Sequence, residues 1–151
     1  MEKLLLGIEA DLRANQSAPV PDTPAFLDEC LRRLRAVPVS VSPARRIGVL
    51  TDIAWQYYIH GQKVFSAIEP IALAVMLAEQ EGLKPLLRRA LSIQGVILGA
   101  TAATTDALDS LLRSLDLAEE IGDPLAVAAA WLNIGQALFE ATLYNDARIA
   151  F

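Results

Sequence analysis

The sequence predicts an all-α protein, a solenoid of stacked helix hairpins with about seven or eight helices. Three observations lead to this prediction. Hydrophobic residues make up 54% of the 151 residues but aromatic residues only 6%, a composition that favours packed helices over a sheet. Apolar residues recur at helical spacing between turn signals. From residue 43 onward, similar residues also return at an interval of 40.

The first 42 residues are predicted to form two helices and a proline-rich linker. Residues 2–14 carry apolar side chains on one helical stripe, and a loop with three prolines follows. Asp22 or Thr23 can cap a second helix, with Pro24 in its first turn, and Pro38 ends that helix. This region is either a cap on the repeats or a degenerate leading repeat, with its helical part at residues 1–37.

The repeat is visible as registered columns of residues. Ala67, Ala107 and Ala147 are 40 residues apart, and so are Ile71, Leu111 and Phe151. Gly82 and Gly122 suit the left-handed residue that ends a helix. Ser42 and Asp123 are then expected to cap the helices that start at the prolines following them. The predicted helices lie near 43–60, 63–81, 84–100, 104–121, 124–140 and from 144 onward.

The third unit carries a recognisable signature. Its apolar and small residues stand at offsets 0, 3, 4, 7, 13, 16 and 20: Trp131, Ile134, Gly135, Leu138, Tyr144, Ala147 and Phe151. This spacing resembles the tetratricopeptide repeat (TPR), and the 40-residue period is similar to a long variety found in bacterial signalling proteins. The resemblance implies a right-handed superhelix of antiparallel hairpins. Its units would be residues 43–82, 83–122 and a truncated 123–151.

One residue departs from the repeat. Trp55 stands in the column of Gly95 and Gly135, where the resemblance implies a close helix contact. A bulky indole does not permit that contact, so the first unit is expected to be splayed or re-registered.

Charge and composition exclude several partner classes. The net charge of −5 and pI near 4.8 argue against nucleic acid, because phosphate binding needs clustered surplus cations. The apolar runs are too short to predict a membrane-spanning helix. The start of the chain does not resemble a signal peptide, and Cys30 is the single cysteine, expected to be a core residue. A cytoplasmic protein is therefore expected.

The sequence offers no catalytic motif. It has no glycine-rich phosphate loop, no cluster of metal-ligand residue types and no nucleophile elbow. His60, the single histidine, is expected to be a polar turn residue. We therefore expect no enzyme activity, metal or cofactor in this segment.

Binding is the expected function, and the resemblance implies where it occurs. In TPR proteins the first helices of successive units line a concave groove. Carried onto this sequence, the groove residues are Asp52, Gln56, Arg89, Ser92, Val96, Asn133, Gln136 and Phe139. The side-chain amides of Gln56, Asn133 and Gln136 can bind a peptide backbone, because each amide both donates and accepts hydrogen bonds.

Three functional classes stay open. The first is a protein-interaction or sensory module at the N-terminus of a longer bacterial signalling protein, with a diguanylate-cyclase (GGDEF) output domain by analogy. The second is a peptide- or small-ligand-sensing domain of a transcriptional regulator. The third is a homo-oligomerisation scaffold, with a homodimer through the exposed C-terminal end.

Overall fold

The computed structural model describes residues 1–60 and 63–150, with the backbone alone at Tyr144, Asp146, Ala147, Ile149 and Ala150. Within these residues the chain forms helices and no strand, so the all-α prediction is confirmed. The α-helices are α1 (Glu2–Ser17), α2 (Thr23–Arg35), α3 (Pro43–Ile59), α4 (Ile68–Glu81), α5 (Lys84–Ala100), α6 (Thr104–Ile121) and α7 (Pro124–Ala150). A 3₁₀-helix at Val64–Ala67 leads into α4.

Local sequence signals place most of the helix ends. Asp22 accepts a hydrogen bond from the Ala25 amide at the start of α2, and Asp123 accepts one from Ala126 at the start of α7. Gly82 and Gly122 adopt left-handed conformations, with φ of 66° and 79°, directly after α4 and α6. The capping predictions for Asp22 and Asp123 and the predictions for both glycines are confirmed.

Two end signals behave differently from the expectation. Ser42 precedes α3 as predicted, but its hydroxyl donates to the Glu2 carboxylate at 2.9 Å instead of capping the helix. The predicted turn after residue 140 is wrong, because α7 continues without a break to Ala150. The segment around Ala141 has neither glycine nor proline, and Thr142 bonds back to the Leu138 carbonyl within the helix. The contacts predicted for the side chains of Tyr144 and Ala147 and for Phe151 lie outside the described residues.

The helices pack in a regular order. Each helix contacts the next one along the chain, and α1, α3, α5 and α7 also contact one another in sequence. Helices α5 and α6 are antiparallel, since Gln94 bonds to Ser110 while Lys84 pairs with Glu120. Helices α5 and α7 are parallel, since Ser92 contacts Asn133 and Gly99 approaches Glu140. The odd-numbered helices therefore form one layer of the molecule.

Helices α5 and α6 approach each other closely at Gly95. A β-carbon added at Gly95 would overlap Leu111 and lie 3.1 Å from the Ala107 carbonyl oxygen. Ala107 and Leu111 are fully buried, as are their counterparts 40 residues earlier, Ala67 and, nearly so, Ile71. The 40-residue columns therefore correspond to equivalent buried positions, which lie in α6 for Ala107 and Leu111, in the 3₁₀-helix for Ala67 and in α4 for Ile71. The right-handed superhelix and the unit boundaries remain predictions.

The first unit differs from the second at the start of its second helix. The chain enters α4 through a 3₁₀-helix, whereas α6 begins as an α-helix at the corresponding residue. Trp55 is partly buried and packs against Tyr58, with ring centroids 5.4 Å apart. Both aromatic rings lie next to α5, which gives the first unit a different surface from the second.

Candidate functional site

A cleft runs across the odd-numbered helices and is the candidate binding site. We call it the interhelix cleft and define it by three spaces that share residues at their boundaries. The space between α1 and α3 measures about 340 Å³ and is lined by Glu9, Arg13, Gln16, Gly48 and Asp52. The next, of about 310 Å³, is lined by Gln16, Trp55, Arg88, Arg89, Ser92 and Ile93. The third, of about 230 Å³, is lined by Trp55, Tyr58, Gly95, Val96, Gly99, Asn133, Gln136, Ala137 and Glu140.

Six of the eight predicted groove residues line this cleft: Asp52, Arg89, Ser92, Val96, Asn133 and Gln136. Four of them form pairs that bridge neighbouring helices. Arg89 forms an ion pair with Asp52 at 2.9 Å between α5 and α3. Asn133 donates to the Ser92 hydroxyl at 3.2 Å between α7 and α5. The Asp52–Arg89 pair therefore lies between α3 and α5, and the Ser92–Asn133 pair lies between α5 and α7.

Gln56 is not available to a partner, which corrects its assignment to the groove. Its side chain is fully buried between α3 and α1. The amide nitrogen donates to the Leu12 carbonyl and the amide oxygen accepts from Asn15, both at 2.8 Å. Helix α1 occupies this part of the α3 surface, so Gln56 joins the two helices.

Phe139 is 59% exposed but does not line the three spaces, so its assignment to the groove stays a prediction. Phe139 stands 40 residues after Gly99, whose position on α5 faces α7. In the part of the chain that the structure describes, no further helix covers the corresponding face of α7.

Several cleft residues were not predicted. The aromatic rings of Trp55 and Tyr58 contact each other and line the cleft where α3 packs against α5. Helix α1 supplies Glu9, Arg13 and Gln16, and α7 supplies Glu140. The Trp55–Tyr58 spacing of three residues on one helix face was a usable signal. The contribution of α1 to the cleft lining could not be predicted, because its sequence does not indicate which helix it packs against.

Charge is distributed unevenly along the cleft. Arg13, Arg88 and Arg89 lie towards the α1 end, whereas Glu140 lies at the α7 end, where it accepts from Gln136 at 2.8 Å. Among the described residues, Arg13 and Arg88 form no ion pair. The Asp52–Arg89 pair is partly exposed and therefore contributes little stability.

The two carboxylates of the α1-end space are already paired, Glu9 with Arg45 and Asp52 with Arg89. Arg13 and Arg88 therefore favour a negative group there, and Glu140 favours a positive group at the α7 end.

The reactive residue types lie elsewhere. Cys30 is fully buried, which confirms its prediction as a core residue, and burial raises the pKa of its thiol to about 11. Burial, followed by the hydrogen bond to Asp28, raises the pKa of Tyr57 as well. His60 follows directly after α3, at the position expected for a turn residue. Among the described residues, no group of three His, Cys, Asp or Glu side chains could hold a metal ion.

Comparisons with known proteins add no family assignment. No protein-family model matches the chain, and no curated protein matches it. None of the helices in the described ranges has the length and apolar content needed to cross a bilayer.

Proposed function

We propose that this chain is a non-catalytic binding module whose interhelix cleft takes an extended peptide segment of a partner protein. The observation that supports this most directly is the composition of the cleft. An aromatic pair on α3 lies beside side-chain amides and hydroxyls on α5 and α7. This combination provides one apolar contact and several adaptable hydrogen bonds, which is what a peptide requires.

The shape of the cleft fits a peptide better than a compact ligand. It crosses four helices, and neighbouring packed helices lie about 8–10 Å apart, so its length is on the order of 25–30 Å. An extended chain rises by about 3.3 Å per residue, so this length matches about eight residues. The three spaces are open to solvent along the cleft.

The chemistry of the lining indicates which peptide is preferred. Trp55 and Tyr58 accept an apolar or aromatic side chain, while Asn133 and Gln136 hydrogen-bond its backbone. Arg13 and Arg88 attract an acidic residue at the α1 end, because neither is paired within the described chain. The preferred ligand is a peptide that carries an acidic residue near a bulky apolar side chain, because Arg88 and Trp55 line the same space.

The resemblance to long TPR arrays supports a regulatory setting for this binding. We propose that the module acts in the cytoplasm as the N-terminal, sensory part of a bacterial signalling protein with a diguanylate-cyclase-like output. The alternative, a peptide- or ligand-sensing domain of a transcriptional regulator, uses the same cleft. The two differ in the domain that the module controls.

The test is selection of peptides from a random displayed library on the immobilised chain, followed by affinity measurements with synthetic peptides. Trp55→Leu is expected to weaken binding about 30-fold, the effect of losing a central aromatic contact. Asn133→Ala with Gln136→Ala is expected to weaken it several-fold. Leu112→Ala, on an exposed site of α6 outside the cleft, is the matched control and should change nothing.

Circular dichroism must show that each variant retains its helix content. Failure to select any peptide with a Kd below about 1 mM would contradict the proposal. Selected peptides that bind Trp55→Leu and the double variant as tightly as the unaltered chain would also contradict it.

A further inference from the structure

A small apolar cavity lies between α2, the linker that follows it, α3 and α4. It measures about 170 Å³, and its lining is mainly aliphatic, with Leu31, Leu34, Leu50, Leu73, Met76 and Leu77. On α3, Arg46 and Leu50 line this cavity, whereas Asp52 and Trp55 line the interhelix cleft. Helical spacing puts these two pairs on opposite sides of α3. The cavity and the cleft are therefore separate sites.

The rim of the cavity is apolar where the next repeat is charged. Val39 is 59% exposed, Leu73 is 39% exposed and Met76 is 48% exposed. The residues that follow Val39 and Leu73 by 40 are Glu79 and Arg113, and these two form an ion pair between α4 and α6. The cavity is therefore a feature of this place in the chain and not a general consequence of the repeat.

The volume of the cavity limits what can fill it. A cavity of about 150 Å³ with an aliphatic lining holds no water and binds a benzene ring. The present cavity has a similar volume and lining, so it accommodates one ring or a branched alkyl group of similar size. A helix of a partner protein, with a diameter of about 10 Å including its side chains, is too large for it.

The charged residues of the lining favour an anion. Two arginines and one glutamate line the cavity, so its net charge is positive. Arg35 and Glu69 are both mostly exposed and are paired only at 3.8 Å. Arg46 is 8% exposed and donates to the Leu34 and Val37 carbonyls, but within the described residues it forms no ion pair. A buried cation normally has an anionic partner, so a ligand with a negative group would supply what the chain lacks here.

We propose that this cavity binds a small carboxylic acid with one ring or one branched alkyl group. The apolar group lies between α2 and α4, and the carboxylate pairs with Arg35 at the rim, where Glu69 competes for the same guanidinium. Arg46 adds positive charge at the wall of the cavity. The site does not overlap the interhelix cleft, so the proposal does not depend on peptide binding.

Methionine methyl resonances test the proposal, because Met76 lines the cavity and Met1, the other methionine of the chain, does not. The probe is phenylacetate, added to the whole chain labelled with carbon-13 in its methionine methyl groups. The Met76 resonance should shift with a Kd below about 1 mM, while the Met1 resonance should stay in place. Acetate, which lacks the ring, and phenylacetamide, which lacks the charge, should each bind about tenfold more weakly or worse.

Variants at exposed positions assign the site. V39E with L73R introduces the ion pair that Glu79 and Arg113 form in the next repeat, and should abolish binding. R35Q should weaken phenylacetate binding several-fold, whereas E69Q should strengthen it several-fold, because Glu69 no longer competes for Arg35. L112R, at an exposed site of α6 outside the cavity, is the matched control and should change nothing.

Four results would overturn the proposal. The first is a Met76 resonance that does not move at millimolar phenylacetate, and the second is equal binding of acetate or phenylacetamide. The third is a Met76 shift that follows the Trp55 indole N–H and is lost in Trp55→Leu, because the acid would then lie in the interhelix cleft. The fourth is a Met76 shift that depends on the concentration of the chain without ligand, because a second copy would then cover the cavity.

Discussion

Replacing Gln56 tests the most consequential correction that the structure makes. Gln56 is the buried link between α1 and α3, so Gln56→Ala removes two hydrogen bonds of 2.8 Å and leaves the Asn15 amide without its acceptor. Each buried bond contributes about 1 kcal/mol, and an unsatisfied buried donor costs about 1–3 kcal/mol. With the cavity included, we expect the free energy of unfolding to fall by about 3–5 kcal/mol.

The matched control is Gln136→Ala, at an exposed glutamine that bonds Glu140 within one helix and should cost less than about 0.5 kcal/mol. Gln56→Met separates the polar contribution from the cavity, since its volume is similar, and should cost about 2–3 kcal/mol. A double-mutant cycle of Gln56→Met with Asn15→Ala should show a coupling of about 1 kcal/mol or more.

Urea unfolding followed by far-ultraviolet circular dichroism measures these differences, provided that the slope of the transition is unchanged. The reasoning is refuted if Gln56→Ala and Gln136→Ala shift the midpoint equally. That result would mean that Gln56 is accessible, as a groove residue would be.

Three further predictions concern packing and burial. Gly95→Ala should lower the free energy of unfolding by about 2–4 kcal/mol, because its β-carbon would overlap Leu111. Gly135→Ala, at a position with open space, should raise it by about 0.5–1 kcal/mol. Equal changes in the free energy of unfolding, measured by urea titration, would contradict the contact between α5 and α6. Arg46→Met should cost about 2–4 kcal/mol by thermal unfolding, because the buried guanidinium donates to three carbonyls at the end of α2; a neutral substitution would contradict that role. Cys30 should resist alkylation at pH 8, because burial raises the pKa of its thiol to about 11, and it should react only at the rate of global unfolding. Rapid labelling of the folded chain would contradict the burial of Cys30.

The sequence predicted the helices well because their end signals are local. Asp22, Asp123, Gly82 and Gly122 each act on the backbone within a few residues, so their roles follow from neighbouring sequence alone. The missing turn after residue 140 shows the limit of this reasoning. A period of 40 predicted a break there, but the segment contains neither glycine nor proline, and the helix continues.

The candidate site was predictable only where neighbouring helices repeat. The Asp52–Arg89 and Ser92–Asn133 pairs join neighbouring odd-numbered helices at separations of 37 and 41 residues, close to the 40-residue period. The prediction that Gln56 lines the groove is wrong because α1 packs over this residue, and such a long-range contact has no signature in the neighbouring sequence. From the sequence, Trp55 was expected only to prevent a close contact with the next helix. In the structure its side chain lines the cleft.

The central claim is that the interhelix cleft binds peptide, and chemical-shift mapping with one selected peptide tests it most directly. Titration of the isotope-labelled chain should perturb the indole N–H of Trp55 and the side-chain amides of Asn133 and Gln136, in proportion to the bound fraction. The indole N–H of Trp131, which lies on the exposed α7 face, should not move. Shifts confined to Trp131 and its neighbours, with Trp55 unaffected, would contradict the account.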